Sequence, residues 1–106
     1  MRILYIDDIR KPKYNYDPYN KNNELIFIDV STNYKDTINL LNTNKYDIID
    51  SDHDLGELKT GYDICKYIVE NNIKCDIFMI HTSNPVGRFN MYQLLDRYTN
   101  FNITSY

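Results

Sequence analysis

The sequence predicts a single α/β domain over residues 1–106, built on a parallel sheet of four to five strands. Two observations predict it. Short apolar runs alternate with stretches carrying apolar residues at helical spacing, the pattern of strand–helix units. Three of those runs stop in polar clusters: Asp7-Asp8, Asp52-His53-Asp54 and His81-Thr82-Ser83-Asn84. In a parallel sheet the carboxyl ends of the strands share one edge, so the clusters are expected to converge on one crevice.

Each element has its own signal. Ile3 to Ile6 is an apolar run stopped by Asp7 and reads as a buried strand. Arg10 to Asn23 holds Arg10, Lys11, Lys13, Lys21, Tyr14, Tyr16 and Tyr19. Pro12 and Pro18 argue against a regular helix there, and the stretch reads as a long basic-aromatic loop. Leu25 to Val30 is a second strand. Ser31, Thr32 and Asn33 are cap-type residues ahead of a helix marked by Tyr34, Ile38 and Leu41. Tyr46 to Ile49 is a third strand, and Asp50 joins the polar residues expected at its end. Ile64, Cys65, Ile68 and Val69 mark a helix after Gly61. Cys75 to Ile80 is a fourth strand. Asn84-Pro85 opens a helix whose stripe is Met91, Leu94, Leu95 and Tyr98, and Phe101 to Tyr106 adds a short edge strand.

Composition excludes several classes. No apolar run reaches the roughly 18 residues that span a bilayer, and the first residues do not form a signal peptide. Cys65 and Cys75 lack zinc-type spacing and read as reduced thiols of a cytoplasmic protein. The net charge of -3 argues against an extended groove for duplex nucleic acid. Twelve Asp against three Glu is the more informative count, because Asp favours turns and strand ends.

The strand-end clusters carry the chemistry. Asp7 and Asp8, with Asp52 opposite, form a set of oxygen ligands for a divalent metal, Mg or Mn in the first place and Zn as the alternative. His53 lies between Asp52 and Asp54, and His81 ends the next strand; they are the only two histidines. One can serve as general base and the other as general acid in phosphoester cleavage, or both can join the aspartates around a transition metal. Asn84 is a natural N-cap, and the helix N-terminus it opens would face a phosphate with Thr82, Ser83 and Arg88 nearby. Arg10, Lys11 and the tyrosines would cover a nucleotide, or form only a solvated linker.

Asp7-Asp8, Asp52 and Thr82 or Ser83 resemble the acidic pocket, phosphoacceptor and switch hydroxyl of receiver domains in two-component signalling. No lysine follows Lys74, whereas signalling receivers use one after the fifth strand. The blocks Asp7-Asp8-Ile9-Arg10-Lys11-Pro12, Ser51-Asp52-His53-Asp54-Leu55-Gly56, Thr60-Gly61-Tyr62-Asp63 and His81-Thr82-Ser83-Asn84-Pro85-Val86-Gly87 are similar to the cyclic-phosphate-processing receiver-like family. That resemblance implies a three-layer, receiver-like (flavodoxin-like) fold, its first helix replaced by a loop and its C-terminal unit reduced. It also implies opening or hydrolysis of a cyclic phosphate on a nucleotide or RNA end, with His53, His81, Asp52 and Asp54 as the reacting groups. A non-catalytic cyclic-nucleotide module and a divergent receiver acting through protein contacts are the competing expectations. A reduced sheet edge leaves room for a homodimer.

Overall fold

The computed structural model describes residues 1–106. Five strands, β1 (Arg2–Ile6), β2 (Phe27–Ser31), β3 (Ile48–Ser51), β4 (Ile77–Ile80) and β5 (Asn102–Ser105), form one sheet in the order β2-β1-β3-β4-β5. Every neighbouring pair is parallel. Three helices, α1 (Tyr34–Thr43), α2 (Gly61–Glu70) and α3 (Pro85–Tyr98), connect β2 to β3, β3 to β4 and β4 to β5. No helix is long and apolar enough to cross a membrane.

Strand order decides which face each connection covers. The step from β1 to β2 runs one way across the sheet, and the later steps run the other way. Right-handed crossovers therefore place α1, α2 and α3 on one face and the β1–β2 connection on the opposite one. That connection is a loop with a single 3-10 turn at Asp17–Tyr19, so the loop forms the third layer. β5 is present, and the 106 residues end one position after it.

Alternation along the strands separates two cores. Leu4, Ile6, Ile49, Phe78 and Ile80 meet Leu41, Ile64, Ile68, Met91 and Leu95 on the helical face. Ile3, Ile48 and Met79 meet Tyr16 on the loop face, with Tyr14, Tyr19 and Ile26 packed beside them. The loop does not reach the outer edge, where Ile28 and Val30 of β2 stay exposed on its side and Phe27 on the helical side. β2 is thus an edge strand rather than the buried one its apolar run suggests.

Each helix start has a local cause. Asn33 accepts the N–H of Asp36, Thr60 and Asp63 form a reciprocal capping box, and Asn84 accepts the N–H of Gly87 with Pro85 in the first turn. Asp50 departs from its expected place at a strand end. It lies inside β3, in register with Tyr5 and Met79, and is fully buried on the loop face.

Candidate metal and phosphate site

The strand order reverses between β1 and β3, and open α/β sheets form their crevice outside the strand ends at such a point. Asp7 follows β1 and Asp52 follows β3 there. One carboxylate oxygen each from Asp7, Asp8 and Asp52 lies within 4.8 Å of the others. They sit in a cleft of about 430 Å³, lined also by Ile9, Arg10, Asp54, Gly56 and Ser83.

Asp7 is the most constrained of the three. Its Oδ1 accepts the backbone N–H groups of Ile9 and Arg10, both at 2.9 Å. Its Oδ2 receives Arg10 Nε and His81 Nε2, both at 3.1 Å. Burial alone would raise its pKa; the backbone N–H groups, His81 and Arg10 outweigh that and hold the carboxyl below its ordinary range. Asp52 Oδ1 accepts the N–H of His53 at 2.7 Å, and Oδ2 receives Arg10 Nη2 at 3.1 Å. Asp8 stands against Gly56, whose φ of +67° lies in the region that favours glycine. A Cβ on Gly56 would come within 2.7 Å of Asp8 Oδ2.

The donor set fits a hard divalent cation. Three carboxylates without sulfur suit Mg or Mn, and no imidazole nitrogen joins them, which disfavours Zn.

The two histidines occupy different environments. His53 has a side chain 15% exposed, and its Nδ1 is 3.0 Å from Asp54 Oδ1. The Asn84 amide lies 3.4 Å from the same nitrogen and 3.5 Å from Asp54 Oδ2. With Nδ1 engaged by Asp54, Nε2 is left without a protein partner. The ring rests on the first turn of α3 beside the cleft, over Gly87. Any Cβ at Gly87 would collide with the imidazole.

His81 is 4% exposed and lies on the loop face. Its Nδ1 is 2.5 Å from Asp50 Oδ1 and its Nε2 is 3.1 Å from Asp7 Oδ2. Tyr5 stacks on the ring with centroids 4.7 Å apart. Both ring nitrogens of His81 therefore have a carboxylate oxygen within hydrogen-bond distance, which fixes the ring between β1 and β3. The hydroxyls of Tyr16 and Tyr106 donate to Asp50 Oδ2, so three donors offset the cost of burying that carboxylate.

The remaining expected residues divide. Ser83 is exposed and lines the cleft. Thr82 is buried, and its hydroxyl accepts the N–H of Asn84 at 3.1 Å. Arg88 Nη2 donates to the Thr82 carbonyl, which ties α3 to the turn. Lys11 is exposed. The N-terminus of α3 offers less to a phosphate than its sequence suggests. Pro85 has no N–H, the Gly87 N–H goes to Asn84 Oδ1, and the Arg88 N–H goes to the Asn84 carbonyl.

Gly87, Asp50 with Tyr16 and Tyr106, and Gly56 are the members that motif reading did not assign. The scarcity of glycine was a usable signal, since the chain has only three.

This fold is that of the receiver domains of response regulators. The Francisella response regulator 1452 receiver domain aligns over 97% of this chain and 82% of its own, with 22% identity and a TM-score of 0.66. A two-component response regulator from Clostridium difficile aligns over 97% and 79%, with 23% identity and a TM-score of 0.62. The regulator TrrA of Thermotoga maritima, solved in complex with Mg²⁺ and BeF, aligns over 97% and 84%, with 16% identity and a TM-score of 0.62. No curated protein matches the sequence. Residues 2–97 match the cyclic-phosphate processing receiver domain, and the chain belongs to that family.

Proposed function

We propose that this chain is an enzyme that opens or hydrolyses a cyclic phosphate on a nucleotide or RNA end. The observation that carries the reading is the His53–Asp54 pair beside the three-carboxylate cluster. Its Nδ1 is engaged by Asp54 while Nε2 has no protein partner, the arrangement of an imidazole set to trade a proton at one defined atom. Membership of a cyclic-phosphate processing family supports the substrate class.

In this mechanism Asp7, Asp8 and Asp52 hold a divalent cation, Mg or Mn. When bound, it would polarise the phosphoryl oxygen or activate water. His53 gives a proton to the leaving oxygen, or takes one from the attacking water, at Nε2. Asp54 fixes its tautomer. His81 acts through Asp7, because both of its nitrogens are already engaged. Ser83 meets phosphate oxygens at the cleft wall, with Arg10 beside it. The Asn84 amide stays on His53 and Asp54 and holds that pair in place. Lys11 adds an exposed positive charge nearby in sequence. Thr82 and Arg88 shape the turn that presents Ser83 and Asn84.

Incubation with 2′,3′-cyclic mononucleotides, cyclic-phosphate-ended RNA and cyclic di- and oligonucleotides, with and without Mg²⁺ or Mn²⁺, tests the reading. Metal-dependent turnover is expected, lost in Asp52→Asn and His53→Ala. Tight binding of unchanged ligand would make the chain a capture module. Labelling of Asp52 by acetyl phosphate, with no cyclic phosphate consumed, would make it a phosphotransfer receiver.

A further inference from the structure

We propose that Arg10 is the internal counter-ion of the acidic cleft: its guanidinium bridges Asp7 and Asp52 until a divalent cation takes that place and releases it toward the phosphate. The inference rests on the reading of the three carboxylates as a cation site.

Only some of the carboxylate oxygens are free to meet a cation. Asp7 Oδ1 is saturated by two backbone N–H groups, and Asp52 Oδ1 is taken by the N–H of His53. Beside Asp8, the oxygens of this pair left to face a cation are the two Oδ2 atoms, that of Asp7 also meeting His81 Nε2. Arg10 holds both, through Nε to Asp7 and Nη2 to Asp52, each at 3.1 Å. A guanidinium and a metal ion therefore compete for the same small volume, and two cations side by side there repel.

Burial gives the bridge a reason to exist. The side chains of Asp7 and Asp52 are 1% and 9% exposed, and a carboxylate out of water needs a partner. His81 lies against Asp7, but its ring is shared with Asp50. Arg10 supplies the missing positive charge, and it does so with a planar fork that suits two carboxylates.

The same geometry lets it leave. The Arg10 side chain is 52% exposed, so moving it to the cleft mouth opens no core. Its backbone N–H stays tied to Asp7 Oδ1, so only side-chain rotation is required. A displaced guanidinium three residues from Asp7 remains beside the site, where an anionic phosphate is a better partner than bulk water.

The test compares Arg10→Gln with wild type and with Lys13→Gln, which removes the same charge from an exposed position. Mn²⁺ affinity is read without nucleotide, as free Mn²⁺ by electron paramagnetic resonance, with thermal melting in the absence and presence of Mg²⁺. Arg10→Gln is expected to bind Mn²⁺ about tenfold tighter or more, with Lys13→Gln within about twofold of wild type. Metal-free Arg10→Gln melts below wild type, and Mg²⁺ closes the gap. Should Arg10→Gln fail to fold without metal, Arg10→Lys carries the comparison, since it keeps the charge and loses the fork; its affinity falls between the two. Unchanged or weaker Mn²⁺ binding in Arg10→Gln, with clear binding in wild type, overturns the counter-ion role alone. No binding in either protein at millimolar Mn²⁺ overturns the cation site and this inference with it.

Discussion

On the helical side of the sheet, aliphatic strand residues meet Leu41, Ile64, Ile68, Met91 and Leu95 in an apolar core of 13 buried residues, enough to hold α1, α2 and α3 in place. On the loop side the apolar cluster has only four, and beside it Tyr5, Asp50 and His81 meet Tyr16 and Tyr106 through directional hydrogen bonds and ring stacking. The two sides come from the same strands, one residue apart. Ile49 faces the helices and Asp50 the loop; Ile80 faces the helices and His81 the loop. The difference teaches a division of labour: non-directional burial on one face holds the fold, and directional bonds on the other aim Asp7 at the cleft.

The comparison can be broken by substitution on either side. Phe78→Ala on the helical face is expected to cost about 3–5 kcal/mol by the cavity it leaves. Urea unfolding followed by circular dichroism checks this, and the folded fraction keeps wild-type metal affinity. Asp50→Asn on the loop face is expected to cost about 3 kcal/mol, because His81 and two tyrosine hydroxyls lose a charged acceptor. Unlike Phe78→Ala, it also weakens metal binding, measured by Mn²⁺ titration, because Asp7 is no longer held from behind.

Gly87→Ala sharpens the contrast between stability and chemistry. Alanine gains up to about 1 kcal/mol over glycine in a helix, which offsets only part of the steric cost, so the melting temperature falls by a few degrees, less than in Phe78→Ala. The displaced His53 ring is expected to cost about tenfold or more in turnover, read at saturating substrate.

The smallest effect is alkaline. Burial, then the nearby carboxylates Asp7 and Asp50, push the Tyr5 hydroxyl from 10.0 to about 12. Burial, with hydrogen bonding to Asp50, pushes those of Tyr16 and Tyr106 higher still. The fold favours the neutral hydroxyls, so their contribution is full below pH 10 and is lost as pH rises through the folded values. At pH 11, absorbance at 295 nm should show these three of the eleven tyrosines still protonated until the protein unfolds, together with Tyr46, which burial and its hydrogen bond to Asp29 also push up.

Periodicity made the five strands, three helices and the convergence of three polar strand ends legible, because those signals are local. Asp50 was not legible. Its donors Tyr16 and Tyr106 lie 34 and 56 positions away, and without them an acid after Ile48-Ile49 reads as a strand terminus. His81 is the same case, since its two acceptors are 31 and 74 positions distant. The tyrosine loop resembled a solvated linker because its partner is a sheet face that only crossover handedness assigns to it. Arg10 was legible as a cation near the site, but its bridge between Asp7 and Asp52 depends on β1 and β3 being neighbours.

The central claim is that the cleft processes a cyclic phosphate with His53 as the proton-transfer group and His81 as the residue that holds Asp7. The most direct measurement is ³¹P NMR of a 2′,3′-cyclic nucleotide with wild type, His53→Ala and His81→Asn across a Mg²⁺ series. The account predicts conversion of the cyclic resonance to a monoester by wild type, none by His53→Ala at any Mg²⁺ concentration, and conversion by His81→Asn that recovers as Mg²⁺ is raised. An unchanged cyclic resonance with folded wild type, or full activity in His53→Ala, would contradict it.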